Sequence, residues 1–181
     1  MKSEIIEFYE GNPNKNGDLL EDIWNFNKIQ LEGIHSYVQY LFPITEPSYF
    51  NRASPKLTDE DISEFKSNYY LKIKLCTSFI KMLRFWGFDV ILDDEKVTIT
   101  RSKDFDVNSA KWLAPKDHNH LRMTRVLHCM NTLGLPECAE AFYDALMQVN
   151  KDYPNIIKPR RPSVRLLLRF WYIRCSGRKE R

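Results

Sequence analysis

Apolar residues recur at every third or fourth position along most of the chain, which is the period of an amphipathic helix. The clearest helix start is at Thr58, an N-cap residue type followed by Asp61 at the third helical position. The period continues to Trp86, and Gly87 suits a helix end because glycine adopts the left-handed conformation without strain. We therefore predict a long central helix over about residues 58–86.

Two apolar stripes run along this central helix. The first stripe consists of Leu75, Phe79, Met82 and Trp86. The second stripe consists of Ile62, Phe65, Tyr69, Ile73, Cys76, Ile80 and Leu83. Because the two stripes lie together on the C-terminal half of the helix, and apolar side chains on two sides require neighbours on two sides, we predict that this half is flanked by other elements on both sides.

Shorter stretches with the same period predict further helices. The stretch over about 28–42 ends at Pro43, because proline lacks a backbone donor and disfavours α geometry in the residue before it. Asp117 is the expected cap of a later helix, and Pro136 suits the first residue of the next one. The first of these helices is predicted to begin at Asp18. The others are predicted to cover about 28–42, 104–113, 117–133, 136–152 and 163–175.

One stretch has a different pattern. Residues 88–100 read FDVILDDEKVTIT, in which two runs rich in apolar and β-branched residues flank a polar turn, as is typical of a β-hairpin. The predicted fold class is therefore all-α: a single compact multi-helix domain over residues 1–181, with the central helix and one small hairpin at about 88–101. We expect residues 1–17 to form an N-terminal arm and linker, and residues 158–181 a basic C-terminal helix and tail.

Cysteine usage and hydropathy limit the class of protein. The four cysteines, at positions 76, 129, 138 and 175, include no C-x-x-C pair and all fall in predicted helices, so we expect reduced thiols. No apolar run approaches the roughly 18 residues of a membrane span, and no signal sequence follows Met1. We expect a soluble cytoplasmic or other intracellular protein.

The net charge of +3 is unevenly distributed. Residues 158–181 carry nine basic residues and one acid, giving +8, whereas residues 1–157 carry 18 basic and 23 acidic residues, giving −5. A basic segment on an acidic body either docks on that body or binds a phosphate-bearing partner. The candidate contacts for nucleic acid or an anionic surface are Arg160, Arg161, Arg165 and Arg169.

Four short stretches carry a family resemblance. They are HSYVQYLFPITEP at residues 35–47, LTDEDISEFK at 57–66, FWGF at 85–88 and NHLRMTRVLHCMNTLGL at 119–135. In this order they resemble the N-terminal region of the opioid growth factor receptor family. The resemblance implies a binding domain with no established catalytic residues, and we expect no cofactor. Vertebrate members are described as nucleus-associated receptors for an enkephalin-type growth factor, so it also implies a peptide partner and a nuclear location in a eukaryote.

Two polar clusters lie within or directly before these stretches and contain the candidate ligand-binding residues. The first cluster consists of His35, Ser36, Tyr37, Gln39 and Tyr40, of which all but Ser36 are candidates. The second cluster consists of His118, Asn119, His120, Arg122 and Arg125, of which all but His120 are candidates. On helices, His35 and Gln39 are i,i+4 neighbours. Arg122 and Arg125 are i,i+3 neighbours that suit a carboxylate or phosphate. Two interpretations stay open: the groups bond to the protein itself, or they contact a ligand.

Enzyme and metal chemistry have weaker support. No Gly-rich phosphate loop, G-x-S-x-G or H-E-x-x-H motif occurs. His118 and His120 diverge on a helix and no fourth ligand has suitable spacing, so we expect no metal site. We predict a non-enzymatic helical binding module for a peptide or acidic partner. Nucleic-acid or anionic-surface binding and an unrecognised enzyme are the alternatives, and the oligomeric state stays open.

Overall fold

The structure is a computed structural model that describes residues 2–47, 53–93 and 96–154. Within these residues it contains nine α-helices and one antiparallel hairpin, so the predicted all-α class with one small hairpin is confirmed. The elements are α1 (Glu4–Glu10), α2 (Leu20–Trp24), α3 (Lys28–Gly33), α4 (Tyr37–Leu41), α5 (Asp59–Ser67), α6 (Tyr69–Trp86), β1 (Phe88–Asp93), β2 (Lys96–Arg101), α7 (Phe105–Ser109), α8 (Asn119–Thr132) and α9 (Pro136–Asp152). The helix predicted over 163–175 and the arginines of the nucleic-acid alternative lie outside the described residues.

Internal contacts divide the chain into two compact units, residues 1–85 and residues 86–181. The boundary falls at the last residue of α6. The first unit contains α1 to α5 and nearly all of α6, and the second contains the hairpin and α7 to α9. The assignment of residues 1–181 to one domain stays a prediction.

The predicted central helix over 58–86 is interrupted at Asn68, so its continuity was wrong. Its start is confirmed, because Thr58 accepts a hydrogen bond from the Asp61 backbone N–H (3.2 Å) and donates its own backbone N–H to the Asp61 carboxylate (3.0 Å). Asn68 has extended backbone angles (φ −95°, ψ 109°). Its side-chain oxygen accepts from the Tyr70 N–H (3.0 Å) and thereby caps α6. Asparagine competes with the helix backbone in this way, which explains the break.

Two lysines of α6 donate hydrogen bonds to backbone carbonyls of the N-terminal segments. The Lys74 ammonium donates to the carbonyl of Tyr9 in the last turn of α1 (2.6 Å). The Lys81 ammonium donates to the carbonyl of Phe26, just after α2 (2.7 Å). The last carbonyls of a helix have no partner within it, so a lysine placed there satisfies a group that burial would otherwise penalise. The N-terminal arm is thus a packed part of the first unit.

The predicted helix over about 28–42 is two short helices, α3 and α4, and its continuity was also wrong. Ile34 adopts an extended conformation (ψ 129°), so the backbone leaves α3 there and His35 falls in the connection. Asn27 and Gln30 close α3 at its start with reciprocal side-chain to backbone hydrogen bonds (2.9 Å each). The predicted end before Pro43 is confirmed, since α4 ends at Leu41.

The second unit is built on an aromatic core beneath the hairpin. Phe88, the first residue of β1, contacts the rings of Phe105, Trp112 and Phe142 at centroid distances of 5.4–5.9 Å. Trp86 stacks on Phe142 (5.7 Å, 6° between planes). β1 and β2 pair in antiparallel register from Phe88 opposite Arg101 to Asp93 opposite Lys96. The hairpin therefore lies where the sequence predicted it.

The later helices differ from prediction only at α7. The helices predicted over 117–133 and 136–152 match α8 and α9, and Pro136 is the first residue of α9. The helix predicted over 104–113 is shorter, because regular helix ends at Ser109 and turns follow. No helix in the described part of the chain is long and apolar enough to cross a membrane.

Candidate binding surface

Tyr37 of the first polar cluster is a core residue. Its ring is fully buried and meets Phe26 edge to face at 5.8 Å. Its hydroxyl donates to the carbonyl of Leu31 in the last turn of α3 (2.8 Å). The side chain therefore satisfies an otherwise orphaned helix-end carbonyl, and it lies too deep for a partner to reach.

Gln39 and Tyr40 also bond within the protein. The Gln39 amide nitrogen donates to the carbonyls of His35 (2.9 Å) and Ser36 (2.8 Å), which fixes the connection before α4. The Tyr40 hydroxyl donates to the Glu4 carboxylate (2.7 Å) and ties α4 to α1. Burial, with the Glu4 hydrogen bond, raises the pKa of Tyr40 to about 12. Of this cluster only His35 is exposed.

Asn119 and Arg122 of the second cluster are buried where α8 begins. The Asn119 side-chain oxygen accepts from the Trp86 indole N–H (3.1 Å) and from the Arg122 guanidinium (3.3 Å). The Asp117 carboxylate accepts the Asn119 backbone N–H (2.8 Å), so Asp117 contributes to the helix start, although the N-cap position is occupied by His118 rather than by Asp117 as predicted. These bonds fix the first turn of α8 relative to the aromatic core of the second unit.

The remaining candidates of this cluster reach the surface of α8. His118 directly precedes the helix with helical backbone angles (φ −64°, ψ −22°) and is half-exposed, as is Arg125. Leu121 lies between them and is 50% exposed. The spacing i, i+3, i+7 puts these three side chains on one side of a helix. We call this set, His118, Leu121 and Arg125, the α8 face.

Sequence reasoning missed Leu121. Its neighbours Met123, Val126 and Met130 are buried, and Leu121 is out of phase with them on the helix. A helical wheel of residues 119–132 would have separated this leucine from the core side. The signal was therefore available in the sequence.

A second exposed apolar surface lies at the start of α6. Tyr69 is 71% exposed, Tyr70 is 76% exposed, and their rings meet edge to face at 6.1 Å. Ile73, one turn later, is also exposed. The predicted stripe that runs from Ile62 to Leu83 is therefore buried at Phe65 and Leu83 but exposed at Tyr69 and Ile73.

The adjacent His128 and Cys129 are both buried in α8. Burial, and secondarily the charge of Arg125, lower the pKa of His128 to about 3. Burial raises the pKa of the Cys129 thiol. A neutral imidazole beside a protonated thiol lacks the thiolate that nucleophilic catalysis requires, so this pair contributes packing rather than reactivity.

The depressed pKa of His128 predicts an acid-sensitive contribution to stability. In the unfolded chain this imidazole binds a proton near its usual pKa of about 6.5, whereas the folded protein resists protonation. The stabilisation is therefore present above about pH 6.5 and is lost as pH falls from there towards about 3. Urea unfolding at a series of pH values should show a steeper loss for the wild type than for His128→Gln. The exposed His35→Gln variant should keep the wild-type slope, and parallel curves for wild type and His128→Gln would contradict the prediction.

Comparison with known proteins gives one family and a set of partial relatives. A family model described as the opioid growth factor receptor (OGFr) conserved region matches residues 5–179. The opioid growth factor receptor of Rattus norvegicus is 38% identical over 124 residues, which are 66% of this chain and 21% of the relative. The Homo sapiens protein of the same name is 36% identical over 126 residues, 66% of this chain and 18% of the relative.

A third relative, the opioid growth factor receptor-like protein 1 of Mus musculus, is 29% identical over 140 residues, 74% of this chain and 28% of the relative. The chain thus spans about a fifth of the length of the first two relatives. No solved structure matches significantly.

Proposed function

The chain belongs to the opioid growth factor receptor family, and from this premise we propose that it is a non-enzymatic helical binding module for a peptide or protein partner of acidic character. The related proteins are named as receptors, which favours recognition over catalysis. The proposal concerns this domain, since the matched relatives are several times longer.

The α8 face is the observation that carries the proposal. It combines an exposed leucine with an arginine and a histidine on one side of a helix. An apolar anchor flanked by cationic or hydrogen-bonding side chains matches a partner with an apolar residue between carboxylates, because charge-assisted hydrogen bonds from arginine to carboxylate are among the stronger polar contacts. Helix-to-helix recognition of this kind uses side chains at i, i+3 and i+7.

The buried members of both clusters take positioning roles in this proposal. Asn119 and Arg122 fix the first turn of α8 and so orient the α8 face. Tyr37, Gln39 and Tyr40 hold α3, α4 and α1 together in the first unit. His35 is the one exposed residue of its cluster and is proposed as a separate, weaker contact.

Alanine substitutions on the α8 face test the proposal. The full chain is presented to an immobilised library of acidic amphipathic peptides, with a matched library in which Asp and Glu are replaced by Asn and Gln. We expect selective retention on the acidic library. Arg125→Ala and Leu121→Ala should each weaken binding by about tenfold or more, a typical loss at a central contact.

Two exposed residues elsewhere provide matched controls. Arg84→Ala on α6 removes a surface arginine, and Ile29→Ala on α3 removes an exposed aliphatic side chain. Both should bind like the wild type, and all four variants should have wild-type free energies of unfolding. Equal retention on both libraries, or unchanged binding by Arg125→Ala and Leu121→Ala, would refute the proposal.

A further inference from the structure

One edge of the hairpin lacks a neighbouring strand among the described residues. β1 and β2 form a two-stranded sheet, and α9 packs against β2. Within β1 only Phe88 is buried, whereas Leu92 is 76% exposed and Ile91 is 50% exposed. An open edge of this kind offers backbone donors and acceptors, together with uncovered apolar side chains, to an extended segment of another molecule.

The register of the hairpin shows which backbone groups point away from β2. In an antiparallel pair, every second residue exchanges backbone hydrogen bonds with its opposite residue, and the residues between direct theirs outward. The Ser102 N–H donates to the Gly87 carbonyl (2.9 Å), and this pair continues the register of the hairpin. The bonded positions of β1 are therefore the odd-numbered ones, and Val90 and Leu92 direct their N–H and C=O groups to the free edge. Neither has a backbone hydrogen bond to another described residue.

The side chains beside this edge alternate between acidic and aliphatic. Side chains two apart share one side of a strand, so Asp89, Ile91 and Asp93 lie together, and all three are exposed. Lys96 lies opposite Asp93 on β2 and offsets part of its charge, so Asp89 provides the stronger attraction for a base. When a strand is added to a sheet, backbone hydrogen bonds provide affinity and alternate side chains provide specificity. This edge therefore selects a segment that reads base, aliphatic, base at every second position.

A second copy of this chain suits the edge less well than a basic partner. Two β1 strands paired along their free edges would bring their four aspartates onto one side of the shared ribbon. Like charges on neighbouring strands are destabilising, whereas opposite charges at the same positions are stabilising. The charge of β1 thus favours a different molecule, with Lys or Arg at two positions four apart and an aliphatic residue midway.

We propose that the free edge of β1 binds such a basic, extended segment of a partner protein as a third, antiparallel strand. The basic side chains lie against Asp89 and Asp93, and the aliphatic side chain lies against Ile91. The residues between them form hydrogen bonds with the backbone of Val90 and Leu92. This surface selects the opposite charge from the α8 face and does not depend on it.

Synthetic peptides and the full chain test the backbone pairing. The probe has the core Lys-Thr-Leu-Thr-Lys, in which the threonines face Val90 and Leu92 in the proposed register. N-methylation of both threonines removes the donors that the edge requires, whereas N-methylation of both lysines alters amides on the far side of the added strand. We expect the first modification to weaken binding by about tenfold or more and the second to leave it nearly unchanged.

Charge reversal tests the side chains. Asp89→Lys/Asp93→Lys should weaken binding of the probe by about tenfold or more and create binding of a counterpart peptide with glutamates in place of the lysines. Glu137→Lys/Asp144→Lys, which reverses two exposed acids of α9, should bind the probe like the wild type. The Ile91 amide, which pairs with β2, should keep its protection from hydrogen exchange in both variants, which shows that the hairpin remains folded.

Amide hydrogen exchange in the full chain reports on the edge directly. Without peptide, Val90 and Leu92 should exchange faster than Ile91, and with saturating probe they should slow by about tenfold or more. Protection equal to that of Ile91 without peptide would show that the edge is already occupied and would overturn the proposal. Protection that rises with the concentration of the chain alone would assign the edge to a second copy instead. Equal effects of the two N-methylations, or unchanged binding by Asp89→Lys/Asp93→Lys, would also overturn it.

Discussion

Trp86→Ala is expected to lower the free energy of unfolding by about 3–5 kcal/mol, the usual cost of deleting a large buried aromatic side chain. Trp86 is fully buried and stacks on Phe142. Its indole N–H donates to Asn119, so the substitution also removes a partner from a buried amide oxygen. The loss therefore combines a cavity with an impaired polar contact at the start of α8.

Urea unfolding of the full chain measures this effect, and two variants separate its parts. Trp86→Phe keeps an aromatic ring but loses the indole donor, so it should fall between wild type and Trp86→Ala. Tyr70→Ala removes an aromatic ring of the same helix that is mostly exposed, so its cost should be small. A Trp86→Ala cost no larger than that of Tyr70→Ala would show that the core of the second unit does not depend on this side chain.

Gly87→Ala is expected to cost roughly 2–4 kcal/mol, from two separate causes. Gly87 turns the chain from α6 into β1 with φ +92°, a conformation that strains any residue with a Cβ atom. An added Cβ would also lie 3.0 Å from the backbone Cα of Phe105, which cannot move aside as a flexible side chain could.

Two other glycines separate the two causes. Gly11 has φ +112° but open space where an added Cβ atom would lie, so Gly11→Ala should show the strain without the clash. Gly33 has neither a positive φ nor a close neighbour, so Gly33→Ala should be nearly neutral. The expected order of destabilisation is Gly33→Ala, then Gly11→Ala, then Gly87→Ala. Equal costs for the last two would remove the steric part of the argument.

Local signals in the sequence predicted the helix boundaries that depend on neighbouring residues. Thr58 with Asp61, Pro136 and Pro43 each act through their own backbone or that of a near neighbour, and all three marked real boundaries. The break at Asn68 was missed because the apolar period continues through it. Asn68 ended the helix there because its side-chain oxygen accepts backbone N–H groups of the next turn, in competition with the backbone hydrogen bonds of a continuous helix.

The role of the first polar cluster could not be predicted from sequence, because its hydrogen-bond partners are either distant along the chain or depend on the local backbone conformation. Tyr40 bonds to Glu4, 36 residues away, and Gln39 bonds to the carbonyls of His35 and Ser36, which lie in the connection between α3 and α4. The same stretch that carries the family resemblance is therefore largely structural. In the second cluster, exposure rather than residue type separates Arg125 from the buried Arg122.

A titration followed by NMR on the isotopically labelled full chain tests the central claim most directly. The probe is an acidic amphipathic peptide selected from the library, and its Asn and Gln counterpart is the reference. We predict that resonances of His118, Leu121 and Arg125 shift in a saturable way with the acidic peptide alone, while those of Tyr37 and Gln39 stay in place. Shifts centred on the first cluster, or equal shifts with the neutral peptide, would contradict recognition of an acidic partner by the α8 face.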